Sequence, residues 1–573
     1  MPRRRFALAL LASILPLCAA QSAPSHQPEA QVDAIFAKMD TTVSPGCALS
    51  VIRDHRIVYE RGYGMADLDH NVPITPASVF HVASMSKQFT AASILLLAQE
   101  GKLSLDDPAR KYVPELPDFG TPVTIRELLH HTSGLRDQWD LLGLSGWRYS
   151  QDLITDADVL YVVSHQKELN FAPNTRYLYS NTGYTILAQI VARVSGQSLR
   201  AFTTARIFAP LGMNHTHFRD DFKEIVKNMA DGYTPANDTF KRSVTNFNTV
   251  GATSLLTTVE DLASWDENFY NPRVGGPSLI HDLQVRGILN NGETIDYAAG
   301  LVIGKYRGLA TVDHAGADAG YRADLLRFPD QHFSVACLCN LSTANPSNLT
   351  RKVADVYLAS AMQPAEAAAP APPPFPLTPR QMQARVGLYV NVQDPDDVVR
   401  WIVKDGQLQI GNADDDTYPV TATSESHFRL PNAPDELTFL PAQPGTLQQL
   451  AIRHGDGKVE TFSAAPAFTP TDAQLSEYAG AYSSPEIDPL YEIKFAHLHV
   501  SGDGPEHAFA GLALIRLKND PDPLQPVTRD FFTAGVGKIR FTRDAHGRIT
   551  GFLLTTGRVI NLRFVRGRPA IPN

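Results

Sequence analysis

Apolar side chains recur at helical spacing over residues 85–99, 124–129, 182–194 and 259–269. On either side of this helical middle the period switches to two. Residues 46–53 and 56–64 read as two strands joined by a turn at Asp54-His55, and the runs 310–314, 321–328 and 333–340 read as three more. Two strands, a helical middle and three closing strands predict one antiparallel sheet covered by helices, its strands drawn from both ends of the segment.

The pattern breaks over residues 364–379, where Pro364-Ala-Glu-Ala-Ala-Ala-Pro-Ala-Pro-Pro-Pro-Phe-Pro-Leu-Thr-Pro379 excludes helix and sheet and favours an extended spacer. Beyond it the strands are short and alternating, with frequent turn signals, as in Gln407-Leu-Gln-Ile-Gly-Asn412 and Tyr491-Glu-Ile-Lys-Phe495. This part also repeats itself. Val386-Gly-Leu-Tyr389 resembles Tyr478-Ala-Gly-Ala-Tyr482, and Arg453-His-Gly-Asp-Gly-Lys-Val459 resembles Arg543-Asp-Ala-His-Gly-Arg-Ile549. The offset of about ninety residues is enough for one small barrel or sandwich per copy. The expected division is a leader (1–20), an α+β domain (21–363), a Pro-rich linker (364–379) and two all-β, barrel-like domains (380–467 and 468–573).

Composition narrows the classes. The chain has 573 residues, 43% of them hydrophobic and 19% charged, as in ordinary globular proteins. A net charge of −9 lacks the basic footprint of a nucleic-acid binder. At the start, Arg3-Arg-Arg5 precedes an apolar run over 6–17 and then Cys18-Ala-Ala20. That is the layout of a secretory signal peptide, with cleavage expected after Ala20. The bulky Leu17 argues against lipid attachment at Cys18. The run is too short to span a bilayer, and no later stretch is long and apolar enough. A periplasmic or secreted protein without a membrane span is therefore expected. Cleavage leaves Cys47, Cys337 and Cys339. Cys337 and Cys339 share a strand face, and either can pair with Cys47 if the strands are neighbours. Buried free thiols are the equal alternative.

Candidate chemistry begins with Ser-x-x-Lys, which occurs twice: Ser84-Met85-Ser86-Lys87 and Ser164-His165-Gln166-Lys167. Ser164 lies inside the amphipathic pattern of residues 156–169 and reads as a helix-surface serine. Ser84 opens the apolar run 89–98, in the first turn of a buried helix. There Lys87 shares its face, the helix N-terminus favours developing negative charge, and burial lowers the amine's proton affinity. A capping serine beside a solvated lysine fits the motif alone equally well. Two later triplets change the balance. Tyr179-Ser180-Asn181 precedes a helix, and His314-Ala315-Gly316 ends an apolar run. Among 18 histidines only His314 has glycine two positions on. Tyr-x-Asn recurs at Tyr389-Val390-Asn391, so the ordered set of three motifs is the signal.

That ordered set resembles the serine β-lactamase and penicillin-binding-protein superfamily, in its esterase and D-aminopeptidase branch. Supporting phrases are Phe80-His-Val-Ala-Ser-Met-Ser-Lys-Gln-Phe-Thr90, Thr124-Ile-Arg-Glu-Leu-Leu-His-His-Thr-Ser-Gly-Leu135, Leu211-Gly-Met213 and Gly251-Ala-Thr-Ser-Leu-Leu-Thr-Thr-Val-Glu-Asp-Leu-Ala263. The resemblance covers residues 28–360. It implies that Ser84 is an acyl-forming nucleophile and that Lys87 and Tyr179 handle its proton, with either as the base. Asn181 would bond Lys87 or the substrate amide, the N–H groups of Ser84 and Ala317 would form an oxyanion hole on an edge strand, and Gly316 would let substrate lie close. His314 stands where family β-lactamases carry the lysine of Lys-Thr-Gly. As a weaker, pH-dependent cation it argues against β-lactamase activity and for esters, amides or D-amino-acid peptides as substrates.

No cofactor or metal is expected. His130-His131, His215-x-His217 and His497-x-His499 lack a ligand set at metal spacing, and Asp414 to Asp416 reads as a solvated turn rather than a calcium loop. The expected partner is a small ester, amide or D-amino-acid peptide substrate, and a homodimer is the candidate assembly. The competing class is a non-catalytic sensor of cell-wall or peptide ligands.

Overall fold

A computed structural model of the chain describes residues 27–149, 151–364, 373–411, 417–430, 433–441, 446–455, 457–466, 468–500 and 507–567. The expected leader, the centre of the linker and the acidic turn at Asp414 to Asp416 lie outside these residues.

Among the described residues one six-stranded antiparallel sheet organises the first half. Its strands are β1 (Cys47–Arg53), β2 (Arg56–Tyr63), β3 (Val302–Tyr306), β4 (Leu309–Asp318), β5 (Tyr321–Phe328) and β6 (Phe333–Cys339), in the order β3-β4-β5-β6-β1-β2. The strands come from both ends of the segment, as the two-helices-three pattern implies, and β1 and β6 close the sheet side by side. Both are buried on both faces because helices cover each side, which is why they read as continuous apolar runs. One face holds α1 (Gln27–Phe36) and α5 (Pro346–Leu358). The other meets α2 (Lys87–Gln99), α3 (Asn181–Ser195) and α4 (Val259–Glu267). Every residue of α2 from Lys87 to Leu97 is buried, so this helix runs through the core.

Cys47 and Cys339 face each other directly across β1 and β6 and form a disulfide; Cys337 is a buried free thiol on the same face. Of the two pairings left open by the sequence, the register selects Cys339.

Two nine-stranded antiparallel sheets follow, each a nearly closed, barrel-like meander. Strand by strand their connectivity is the same, with the first strand of each beside its last. The repeat extends to detail. Thr378 and Thr471 cap equivalent short helices through Gln381 and Gln474. The hydroxyls of Tyr389 and Tyr482 each donate to the carbonyl four residues back, at 3.1 and 2.7 Å. One pairing made from sequence is off by a hairpin. The turn after Arg453 joins the last two strands of the first barrel, whereas the turn after Arg543 joins Gly537–Arg543 to Ile549–Thr556. The true counterpart of the first is the two-residue turn Gly557-Arg558, between Ile549–Thr556 and Val559–Arg566. Two charged, glycine-containing turns look alike at any hairpin, so local pattern cannot fix this register.

The second barrel shares its apolar core with the first half of the chain. The contact also contains an ion pair between Arg136 and Glu486, both side chains almost fully buried. Glu486 accepts the Lys167 N–H at 2.9 Å as well, so the second Ser-x-x-Lys lies at an interface. No helix among the described residues is long and apolar enough to cross a membrane.

Candidate active site

The nucleophile candidate sits on a turn held by its neighbours. Ala83, a non-glycine residue, takes the left-handed conformation with φ of +47°. The Ser86 hydroxyl donates to the Ala83 carbonyl at 2.5 Å and accepts the Leu255 N–H at 3.0 Å, which secures the strained residue. Ser84 is in a 3₁₀ turn, Ala83–Ser86, and the α-helix begins only at Lys87. The sequence placed both in one α-helix; the tighter turn still stacks position i+3 over i. Ser84 is the one residue between Phe80 and Thr90 that is not fully buried, and it lines a cavity of about 760 Å³.

Lys87 is buried, and that burial drives its amine well below the ordinary lysine range; Asp137 opposes the shift and Arg558 adds to it. The Nζ atom has three neighbours: Ser84 Oγ at 3.0 Å, Asn181 Oδ1 at 3.0 Å and the Ala252 carbonyl at 2.7 Å. A neutral amine has two hydrogens and one lone pair. In that form the carbonyl oxygens can take both hydrogens and the lone pair can face the Ser84 hydroxyl, to which the protonated amine donates.

Tyr179 stands over this pair, its ring centroid 4.7 Å from Lys87 Nζ. Burial pushes its phenol well up, although a hydrogen bond with Ser84 pulls the other way. The phenol is therefore protonated at neutral pH and suits a donor's role better than a base's. Asn181, the first residue of α3, is aimed by Asp137, whose Oδ2 accepts the Asn181 backbone N–H at 2.7 Å and its Nδ2 at 2.9 Å. Asp137 caps the helix Gln138–Leu144 through the Trp139 N–H.

His314, Gly316 and Ala317 line the same cavity from β4. The formal edge strand is β3, but it pairs only with Leu309–Asp313. The half of β4 carrying the triplet therefore has a strand on one side only, and its other side faces Ser84. Burial, reinforced by Lys87, holds the His314 imidazole down at about 3. Nε2 lies 2.9 Å from the Tyr297 hydroxyl and Nδ1 2.6 Å from the Ala315 carbonyl. Burial thus disfavours the charged imidazole, which argues against the expected role of His314 as a pH-dependent cation. Gly316 also has a different reason to be glycine. A Cβ there would lie 2.1 Å from the Val82 carbonyl oxygen and 3.2 Å from the Ser84 nitrogen, so it lets β4 meet the nucleophile turn rather than the substrate.

Seven residues named from sequence, Ser84, Lys87, Tyr179, Asn181, His314, Gly316 and Ala317, line the cavity or bond to those that do. Sequence reasoning missed Asp137, Tyr297 and Arg558. The last comes from the Gly557-Arg558 turn of the second barrel; its guanidinium is 5.0 Å from the Tyr179 ring centroid and 3.7 Å from Asp137. An Asp before a helical run at 137 was the one local clue to these three. The ligand-spaced group Cys47, Cys337 and Cys339 is the disulfide with its neighbouring thiol.

Fold and arrangement together are those of a β-lactamase-like α+β domain followed by two barrels, and the comparisons agree. The chain belongs to the Beta-lactamase family, whose model matches residues 32–360, more than half of the chain. Penicillin-binding protein 4* of Bacillus subtilis (strain 168) is 32% identical over 304 residues, covering 50% of this chain and 65% of that protein. The D-aminopeptidase of Gluconobacter oxydans (strain 621H) is 26% identical over 321 residues, covering 54% and 60%. The matches thus span less than two thirds of these relatives' own length. Among solved structures, the octameric penicillin-binding protein homologue from Pyrococcus abyssi shares the fold with a TM-score of 0.54 at 24% identity, covering 76% of this chain and 99% of that one.

Proposed function

We propose that the chain is a serine hydrolase that cleaves amide or ester bonds of small peptides or esters through an acyl-enzyme on Ser84. The observation that carries this is the buried Lys87 amine, 3.0 Å from Ser84 Oγ and with its proton affinity lowered by burial. In the first step Lys87 accepts the hydroxyl proton as Ser84 Oγ bonds to the substrate carbonyl carbon. The oxyanion forms between the N–H groups of Ser84 and Ala317. The proton then reaches the leaving amine or alkoxide by way of the Tyr179 hydroxyl, and water repeats the sequence to release the acid.

Neutral His314 where β-lactamases carry lysine favours an esterase or a D-amino-acid peptidase over a β-lactamase. The likeness to a D-aminopeptidase and a penicillin-binding protein points the same way. An exported location fits both the leader pattern of residues 1–20 and the disulfide. The domain division 21–363, 380–467 and 468–573 fits one sheet-and-helix unit followed by two barrels.

The test is hydrolysis of nitrophenyl esters and D-alanyl anilides by wild type and by Lys87→Met. Turnover by wild type, reduced at least a hundredfold in the variant, supports the reading. A protein that turns over neither substrate class is the non-catalytic sensor instead.

A further inference from the structure

The second barrel reaches into the cavity at one point, the Gly557-Arg558 turn, and that turn is pinned by its backbone. The Arg558 N–H donates to Asp140 Oδ2 at 2.7 Å, and its carbonyl accepts Asp137 N–H at 3.2 Å and Asn170 Nδ2 at 2.9 Å. The next bonds continue the clamp: Ile560 N–H donates to Asn170 Oδ1 at 2.8 Å, and Arg136 Nη2 to the Ile560 carbonyl at 3.1 Å. The equivalent hairpin of the first barrel is longer, spanning His454 to Lys458.

The Arg558 side chain is in the opposite condition. It is 42% exposed, lines the cavity, and makes no guanidinium hydrogen bond among the described residues. Its one ionic neighbour, Asp137 at 3.7 Å, already accepts two bonds from Asn181 on the same oxygen. Of the other charged groups on the wall, Arg322 is committed and Asp318 keeps one oxygen, Oδ1, without a hydrogen-bond partner. Asp318 bonds His81 at 2.8 Å, and Arg322 donates to the carbonyls of Ala319 and Tyr321 at 3.0 and 2.7 Å. The cavity therefore offers the Arg558 guanidinium, a planar fork whose donors make no hydrogen bond among the described residues, and one unpartnered oxygen of Asp318. A planar anion matches that fork bidentately.

We propose that Arg558, carried into the cavity by the second barrel, binds a carboxylate of the substrate. The site then prefers acyl donors bearing a carboxylate to uncharged ones. This rests on the hydrolase reading, so the test separates the two.

Binding is measured by calorimetry in the Ser84→Ala background, where no turnover is needed. The ligands are N-glutaryl-D-alanine 4-nitroanilide and its uncharged match N-pentanoyl-D-alanine 4-nitroanilide. A second pair places the carboxylate in the leaving group, on the nitroanilide ring. The expected result is at least tenfold tighter binding of the carboxylate member of one pair, and a ratio within twofold of one after Arg558→Gln. Arg558→Lys restores part of the ratio, and Arg548→Gln, on an exposed turn of the same barrel, keeps it. Equal binding of both members of both pairs by the Arg558 protein overturns the proposal, as does a preference that survives Arg558→Gln. Loss of turnover with the preference intact would count against the hydrolase reading alone.

Discussion

Gly316→Ala is the sharpest perturbation of the candidate oxyanion site. The added Cβ would stand 2.1 Å from the Val82 carbonyl oxygen, where ordinary carbon–oxygen contacts are about 3.3 Å. The obstacle is backbone, and it belongs to the turn that carries Ser84. Strand β4 and that turn must therefore separate by about 1 Å. A shift of that size between reacting groups costs roughly 10²-fold in rate, and loss of one oxyanion donor costs about 10²–10³. The expected fall in kcat is thus about 10²–10³-fold, with a smaller change in KM because cavity walls such as Tyr177 and Trp139 stay in place. Steady-state ester hydrolysis measures it, with urea melts to show that the variant is folded. Gly304→Ala, in β3 of the same sheet, is the control; its Cβ meets only the Thr311 hydroxyl at 3.2 Å, which rotates away. A Gly316→Ala protein within threefold of wild type refutes the close-approach reasoning.

The acid limb of kcat/KM should report Lys87 losing its proton, below the ordinary lysine range because burial depresses it; a limb near pH 10 would show a solvated amine instead. His314 is held down at about 3, so below pH 6.5 the unfolded chain binds a proton that the folded one does not, and stability falls with pH until about 3. Between pH 7.5 and 5 that loss is about 2 kcal/mol, and urea melts should find the wild-type loss smaller by that amount in His314→Gln, the buried His130 and His131 contributing to the rest. Removing the disulfide with Cys47→Ser should cost about 2–5 kcal/mol, since it closes a separation of 292 residues; unchanged melts would mean the bond does not form. Glu486→Ala should cost about 3–5 kcal/mol by stranding the buried Arg136 charge, and a neutral effect in melts would show that water reaches the pair.

Periodicity carried the sheet of the first half because its strands are either alternating or doubly buried, and both signatures are local. The cluster Ser84, Lys87, Tyr179, Asn181 was legible as ordered motifs, since each triplet sits at an element boundary where the chain turns toward the cavity. What stayed hidden depends on distance or desolvation. Arg558 is brought in by packing of a barrel hundreds of residues downstream, and nothing in Thr556-Gly-Arg-Val559 marks it. The neutrality of His314 follows from burial beside Lys87 and Tyr297, which no strand pattern encodes. The start of α2 moved from Met85 to Lys87 because Ala83 adopts a left-handed conformation that the sequence does not announce.

The central claim is that Ser84 forms the acyl bond. Intact-mass spectrometry of wild type and Ser84→Ala after a fluorophosphonate probe tests it most directly. The account predicts one adduct on wild type, mapped to the peptide containing Ser84, and none on the variant. An adduct of equal yield on Ser84→Ala, or none on a wild type that also hydrolyses neither ester nor anilide, would contradict it.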